Sequence, residues 1–239
     1  TIAERMGARR VGTLEATVDW LLTDSRSLSF PEETLFFALT TKRNKGARYI
    51  PDLYERGVRN FVLSQEDFDE WSKETGDGRI ETGDVDSTLT SDFQLSTFNF
   101  QLSTKQGLSA FNFLIVSNPL KALQKLAKQH REQFQIPVIG ITGSNGKTIV
   151  KEWLHQLLSP DRIIVRSPRS YNSQIGVPLS VWQMNEEAEL AIFEAGISEM
   201  GEMRALANMI KPSIGILTNI GGAHQENFFS LQEKCMEKP

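Results

Sequence analysis

The chain contains a single cysteine, Cys235, so no intrachain disulfide can form and no second thiolate is available for a metal knuckle. That scarcity suits a reducing compartment, and Cys235 reads as an ordinary helix residue. Basic charge is also short, with 26 Lys and Arg against 30 Asp and Glu and a net charge of −4. The broad basic surface of a nucleic-acid binder is therefore not expected, and anionic ligands must be met by local basic spots. No apolar run approaches the roughly 18 residues of a membrane span, and no charged-then-apolar leader opens the chain. The reading is of a soluble, cytoplasmic protein. Its 239 residues suffice for one large or two ordinary domains.

What is present alternates between apolar runs and helical stripes. Residues 35–64 read as strand, loop, short helix closed by Gly57, and strand. From about Asp67 to Asn112 the composition turns to Ser, Thr, Gly and Asp, and "FQLST" occurs at 93–97 and again at 100–104. Two copies are too few for a solenoid; they read as a β-hairpin or a mobile insertion, with accidental low complexity as the alternative. Order returns with a strand, then Asn118 as helix N-cap and Pro119 at the first helical position. Leu120, Leu123, Leu126, Ala127, His130 and Phe134 share one face of that helix, which makes His130 a core or edge residue rather than a ligand. A second domain begins at Pro137, where strands at 138–142, 162–166, 189–193 and 213–218 alternate with helices at 147–158, about 174–184 and 201–210. The expected fold class is α/β: a small N-terminal domain over 1–136 and a mainly parallel, helix-flanked sheet of the phosphate-loop type over 137–239. Ligands of such sheets bind at the carboxyl ends of the strands.

The stretch "VIGITGSNGKTIV", 138–150, lies where a strand turns into a helix. Gly140 stands one residue too early for G-x-x-x-x-G-K-[ST], and Ile141 fills the first-glycine position. The context still suits phosphate: backbone N–H groups and the helix dipole attract it, Lys147 can reach its outer oxygens, and the Thr148 hydroxyl can ligate Mg²⁺. The alternative is a structural turn with a chance Gly-Lys-Thr. Ile149, Val150, Trp153, Leu154, Leu157 and Leu158 mark the following helix as amphipathic. Glu194 ends the apolar run Leu190 to Phe193, where its carboxylate would face Thr148, and strand 214–218 runs into Asn219 and His224. Each residue alone is a weak signal; in this order with the loop they form a constellation.

The succession "TGSNGKT", "YNSQIGVP", "FEAGISEMGE", "TNIGGAH" and "SLQEKCMEK" resembles the ATP-dependent Mur ligases of peptidoglycan synthesis. Within them the likeness is greatest to the members that join D-Ala-D-Ala to UDP-MurNAc-tripeptide. At the N-terminus "LTDSRSLSFPEETLFFAL" resembles the family's UDP-binding domain, so Ser25 and Arg26 are implied as substrate-binding. One departure is Lys45 before Gly46, where the family commonly has Asp-Gly; Lys42, Arg43 and Lys45 could touch the diphosphate or form an exposed basic loop. The resemblance implies that Gly143, Ser144, Asn145, Gly146, Lys147 and Thr148 bind the ATP phosphates, with Asn219 beside the nucleotide. It implies Asn172 near the acceptor's reacting end. Thr148, Glu194, His224 and Lys238 are implied as metal-holding residues, with Lys238 at the position of a lysine often carbamylated in the family.

The implied chemistry is amide formation through an acyl phosphate, with Lys147, Glu194, His224 and Lys238 as the catalytic set and ATP and Mg²⁺ as cofactors. No nucleic acid or membrane partner is expected. The family has a third, C-terminal domain that these residues do not supply, so turnover by them alone is not expected; in one branch an alanine racemase is fused beyond it. Rival readings are a sibling adding a single amino acid, a folylpolyglutamate synthetase, and, in a different class, a P-loop kinase or nucleotide-regulated binding module. "EAGISEMGE" favours the dipeptide enzyme.

Overall fold

The computed structural model describes residues 1–41, 44–75, 94–95, 100–101, 111–197 and 201–220. The chain divides into two compact units, residues 1–122 and 123–239.

The first unit opens with α1 (Ile2–Met6), started by a reciprocal capping box between Thr1 and Glu4. Its sheet takes strands β1 (Arg9–Val11), β2 (Trp20–Leu22), β3 (Thr34–Phe37), β4 (Asn60–Ser64) and β7 (Asn112–Val116). They lie in the order β1-β7-β4-β3-β2, with β1 antiparallel to β7 and the other pairs parallel. The three central strands are buried along almost their whole length, which is why "TLFF", "NFVLS" and "NFLIV" read as continuous apolar runs rather than alternating ones. Phe36 and Phe61 are fully enclosed, and Phe113 packs its ring against Phe61, Phe68 and Phe111. Each such ring contributes about 1.5–3 kcal/mol by leaving water. Helix α2 (Ile50–Glu55) adds Ile50 and Leu53 to this core, and the chain leaves it through Gly57 in the left-handed region, as expected.

Helix α3 (Gln65–Thr75) differs from the expectation that irregular sequence begins near Asp67. Ser64 Oγ accepts from Asp67 N and donates to an Asp67 carboxylate oxygen, so the pair closes the helix start, while Phe68 is buried in the core. The shift toward Ser, Thr, Gly and Asp hid a capped, anchored helix. Farther on, β5 (Gln94–Leu95) and β6 (Phe100–Gln101) pair antiparallel, one strand from each "FQLST" copy, in keeping with the hairpin reading. The remainder of that insertion lies outside the described residues, as do Lys42, Arg43, His224, Cys235 and Lys238.

Helix α4 (Pro119–Arg131) starts as expected, with Lys121 N donating to the Asn118 side chain at 2.9 Å. The division between the units falls inside it rather than after it, because Ala127 joins the second core. His130 meets the Trp182 ring at a tilt and the Phe134 ring edge-on, and contacts the Met184 carbonyl at 2.8 Å, which is the structural role expected of it.

The second unit continues β8 (Val138–Thr142), α5 (Lys147–Leu158), β9 (Ile164–Arg166), α6 (Gly176–Val181), β10 (Leu190–Glu194), α7 (Glu202–Ile210) and β11 (Ile214–Leu217). Its sheet is wholly parallel in the order β11-β8-β10-β9. Alternate strand residues divide the apolar load between two faces. Val138, Ala191 and Phe193 pack with Val177 and Val181 of α6 and Leu206 and Met209 of α7, whereas Ile139, Ile141 and Ile192 receive Val150, Leu154 and Leu158 of α5. Only half of the α5 stripe read from sequence is therefore inward: Ile149, Trp153 and Leu157 are 57%, 62% and 73% exposed. The helix carries two apolar ridges, and the sheet takes one.

Arg131 ties the end of α4 to the end of α7. Its guanidinium donates to the carbonyls of Ile210 at 2.8 Å, Phe134 at 2.6 Å and Lys211 at 3.2 Å, and burial pushes its pKa below the usual arginine range. Arg131→Met leaves these carbonyls without their donor, with an expected loss of about 2–3 kcal/mol of unfolding free energy. Urea denaturation of the chain measures it.

Candidate functional site

The parallel register brings one end of the second sheet to a common edge. Glu194 lies opposite Ile141 and Leu217 opposite Thr142, so the residues that follow β8, β10 and β11 all emerge together. This is the carboxyl edge where open α/β sheets bind ligands.

The loop 143–146 crosses that edge between β8 and α5. Gly143 has φ +142 and Gly146, the N-cap of α5, has φ +80. Thr218 and Asn219, just after β11, fasten the loop from the side. Ser144 N donates to Asn219 O at 2.9 Å, Asn145 N to Asn219 Oδ1 at 2.9 Å, and Thr218 Oγ1 to Asn145 O at 2.6 Å. Asn219, expected beside a nucleotide, is thus also a latch on the loop itself. With two loop N–H groups turned toward it, an anion would be met chiefly at the start of α5, where the first turn's N–H groups lack helical partners. Lys147 Nζ folds back on Gly143 O at 2.8 Å, which places its ammonium over the loop.

Beneath the loop lies Glu194, completely buried at the end of β10. Its two oxygens have different company. Thr148 Oγ1 donates to Oε2 at 3.1 Å, and the Asn172 amide reaches the same oxygen at 3.4 Å. Lys151 Nζ, also completely buried, stands 3.1 Å from Oε1 as an ion pair. That approach is not aligned as a hydrogen bond, and Oε1 has no hydrogen-bond partner among the described residues. Thr142 Oγ1, at the end of β8, is likewise buried without one. Asn172 is positioned through its own carbonyl, which accepts from Gly196 N at 2.7 Å.

These donors are hydroxyl, carboxylate and amide oxygens beside a phosphate-shaped loop, a set that fits a hard divalent cation such as Mg²⁺. Among the described residues no group of three or more His, Cys, Asp or Glu stands ready to hold a metal alone. A cation here would draw its remaining ligands from a phosphate ligand and water, which is how Mg²⁺ is usually held.

The structure brings together Gly143, Ser144, Asn145, Gly146, Lys147, Thr148, Asn172, Glu194 and Asn219 from the set expected from sequence. Ser25 and Arg26 belong to the first unit, in a short helical turn over Ser25–Ser27. There Arg26 forks onto Asp24, with contacts of 2.7 to 3.2 Å, and holds that carboxyl below the usual aspartate range. The Arg26 side chain is 87% exposed. Ser25 O accepts from Arg56 at 2.9 Å, and Lys45 pairs with Glu70. Lys151 was not foreseen. Its position between Val150 and Leu154, the inward residues of α5, was the available sign that this lysine faces the sheet.

A family model for the Mur ligase middle domain matches residues 141–238. The chain is 33% identical over 230 residues to the UDP-N-acetylmuramoyl-tripeptide–D-alanyl-D-alanine ligase of Borreliella burgdorferi, covering 95% of this chain and 43% of that one. It is 41% identical over 199 residues to the enzyme of the same name from Rickettsia prowazekii, covering 83% of this chain and 36% of that one. Among solved structures, MurF from Acinetobacter baumannii superposes with a TM-score of 0.74 at 22% identity, over 99% of this chain and 44% of that one. The MurF ligase of Thermotoga maritima in complex with ADP gives 0.63 at 23% identity, over 91% and 41%. At these identities the solved structures speak for the fold. The chain spans less than half the length of the curated relatives it matches.

Proposed function

From its likeness to the Mur ligase family, whose middle-domain model matches residues 141–238, we propose that the chain is a member and that its protein joins D-Ala-D-Ala to UDP-MurNAc-tripeptide at the expense of ATP. The observation that carries the reading is the meeting of the loop 143–146, Lys147 and Thr148 with the buried carboxylate of Glu194, 3.1 Å from the Thr148 hydroxyl. Agreement in name among the relatives favours the dipeptide reaction over addition of a single amino acid or of glutamate to folate.

The difficulty of the reaction is electrostatic, since a peptidyl carboxylate must approach a polyanion. Lys147 and the N-terminus of α5 place positive charge and N–H donors where the outer phosphates lie. Thr148 and Glu194 offer oxygens to Mg²⁺, with His224 and Lys238 as further holders, and bound Mg²⁺ supplies charge neutralisation across the phosphates. The substrate carboxylate oxygen forms a bond to the γ-phosphorus and ADP departs. The dipeptide amine then attacks the acyl carbon, phosphate leaves, and the amine gives up a proton. Asn172 is positioned near this reacting end, and Ser25 and Arg26 serve the UDP-bearing substrate in the first unit.

Calorimetric titration of the chain checks the substrate reading. UDP-MurNAc-tripeptide is expected to bind more tightly than UDP-MurNAc-dipeptide by about tenfold, the value of a desolvated contact to the third residue. Equal affinity would favour a sibling ligase, and absence of binding by both would remove the proposal.

A further inference from the structure

Lys151 has no part in the chemistry described above, yet it is the most fully enclosed cation among the described residues. It lies three residues after Thr148 on α5, so both side chains meet Glu194 from one helix face. Its ammonium stands 3.1 Å from Glu194 Oε1 and donates to Ser167 O at 2.8 Å and to Arg169 O. Ser167 is itself buried, and its hydroxyl accepts from Glu194 N at 3.1 Å. The segment 167–172 carries Asn172, and Arg169 holds φ +50 while its carbonyl meets Lys151. A single ammonium therefore joins α5, the carboxylate and the segment that delivers Asn172. Glu152 Oε1 stands 3.2 Å away, shared with Arg166.

The two carboxylate oxygens are consequently not equivalent. Oε2 is held by a hydroxyl and a long amide contact, both able to turn toward an incoming cation. Oε1 faces an ammonium that has no exposed surface and is anchored by two carbonyls, so it cannot withdraw. We propose that Lys151 is a positioning residue that reserves Glu194 Oε1 and presents Oε2 as the single cation-accepting oxygen of the loop. This inference rests on the nucleotide reading of the site.

The test is ADP binding to the chain with Mg²⁺ and with EDTA, compared between wild type and Lys151→Met. Wild type is expected to bind ADP more tightly with Mg²⁺. Lys151→Met is expected to lose about tenfold or more of that enhancement, as partners that orient a metal ligand usually show, while ADP affinity in EDTA changes by less than about twofold. A retained enhancement, or an equal loss with and without Mg²⁺, would overturn the inference. If wild type binds no ADP, the nucleotide reading itself falls and the inference with it. Should Lys151→Met not fold, lysine-¹⁵N-labelled wild type decides the matter. The Lys151 Nζ resonance is expected to remain protected on adding Mg²⁺ and ADP, and its merging with those of exposed lysines would mean that the cation displaces it from Glu194.

Discussion

Gly143→Ala is expected to lower the unfolding free energy by about 3 kcal/mol and to abolish ADP binding, whereas Gly146→Ala costs about 1 kcal/mol. Both glycines have positive φ, but their surroundings differ. A Cβ on Gly143 would stand 1.9 Å from Thr218 Oγ1 and 3.1 Å from both backbone N and O of Asn219, with φ at +142. Room could be made only by turning the Thr218 hydroxyl away from Asn145 O, giving up a bond that closes the loop, each such bond being worth about 1 kcal/mol. A Cβ on Gly146 meets nothing within 4 Å, so only the left-handed backbone resists it. Urea denaturation and ADP titration of the two variants make the comparison, and equal losses would show that the crowding at Thr218 is not what requires glycine.

Lys151→Met is expected to cost more still, about 3–5 kcal/mol, because it leaves the enclosed Glu194 carboxylate without its counter-charge. The double variant Lys151→Met with Glu194→Gln removes both charges together and is expected to recover most of that loss. Replacing a buried ion pair as a whole is often nearly neutral, whereas breaking it is not. Thermal and chemical denaturation of the two single variants and the double one give the coupling directly. Additive losses would mean that the 3.1 Å approach of Nζ to Oε1 carries no energy of its own.

Much of this organisation was legible in sequence. The order of elements from Pro137 onward, the strand-to-helix position of the loop and the descent of Glu194 onto Thr148 all followed from apolar runs and their ends. Three things did not. The inner and outer ridges of α5 are equally apolar in sequence, and only the packing of Val150 and Leu154 on the sheet separates them from Ile149 and Trp153. Lys151 was hidden because lysine ordinarily marks a solvated position, and its partners come from two later parts of the chain. The latching by Thr218 and Asn219 depends on β11 lying beside β8, a neighbour relation that hydrophobic pattern does not encode. In α3 the misreading ran the other way: a composition turning to Ser, Thr, Gly and Asp marked an insertion from about Asp67, where Ser64 and Asp67 in fact start a helix.

The latch on the loop has a kinetic side. The contacts of Ser144 and Asn145 with Thr218 and Asn219 lie wholly within the chain, so the cradle's shape does not depend on contacts that a ligand would supply. Ordering entropy is then not charged against the encounter, and association is not slowed by a folding step. Nucleotides that differ in their outer phosphates should consequently enter at similar rates and be told apart by how long they stay.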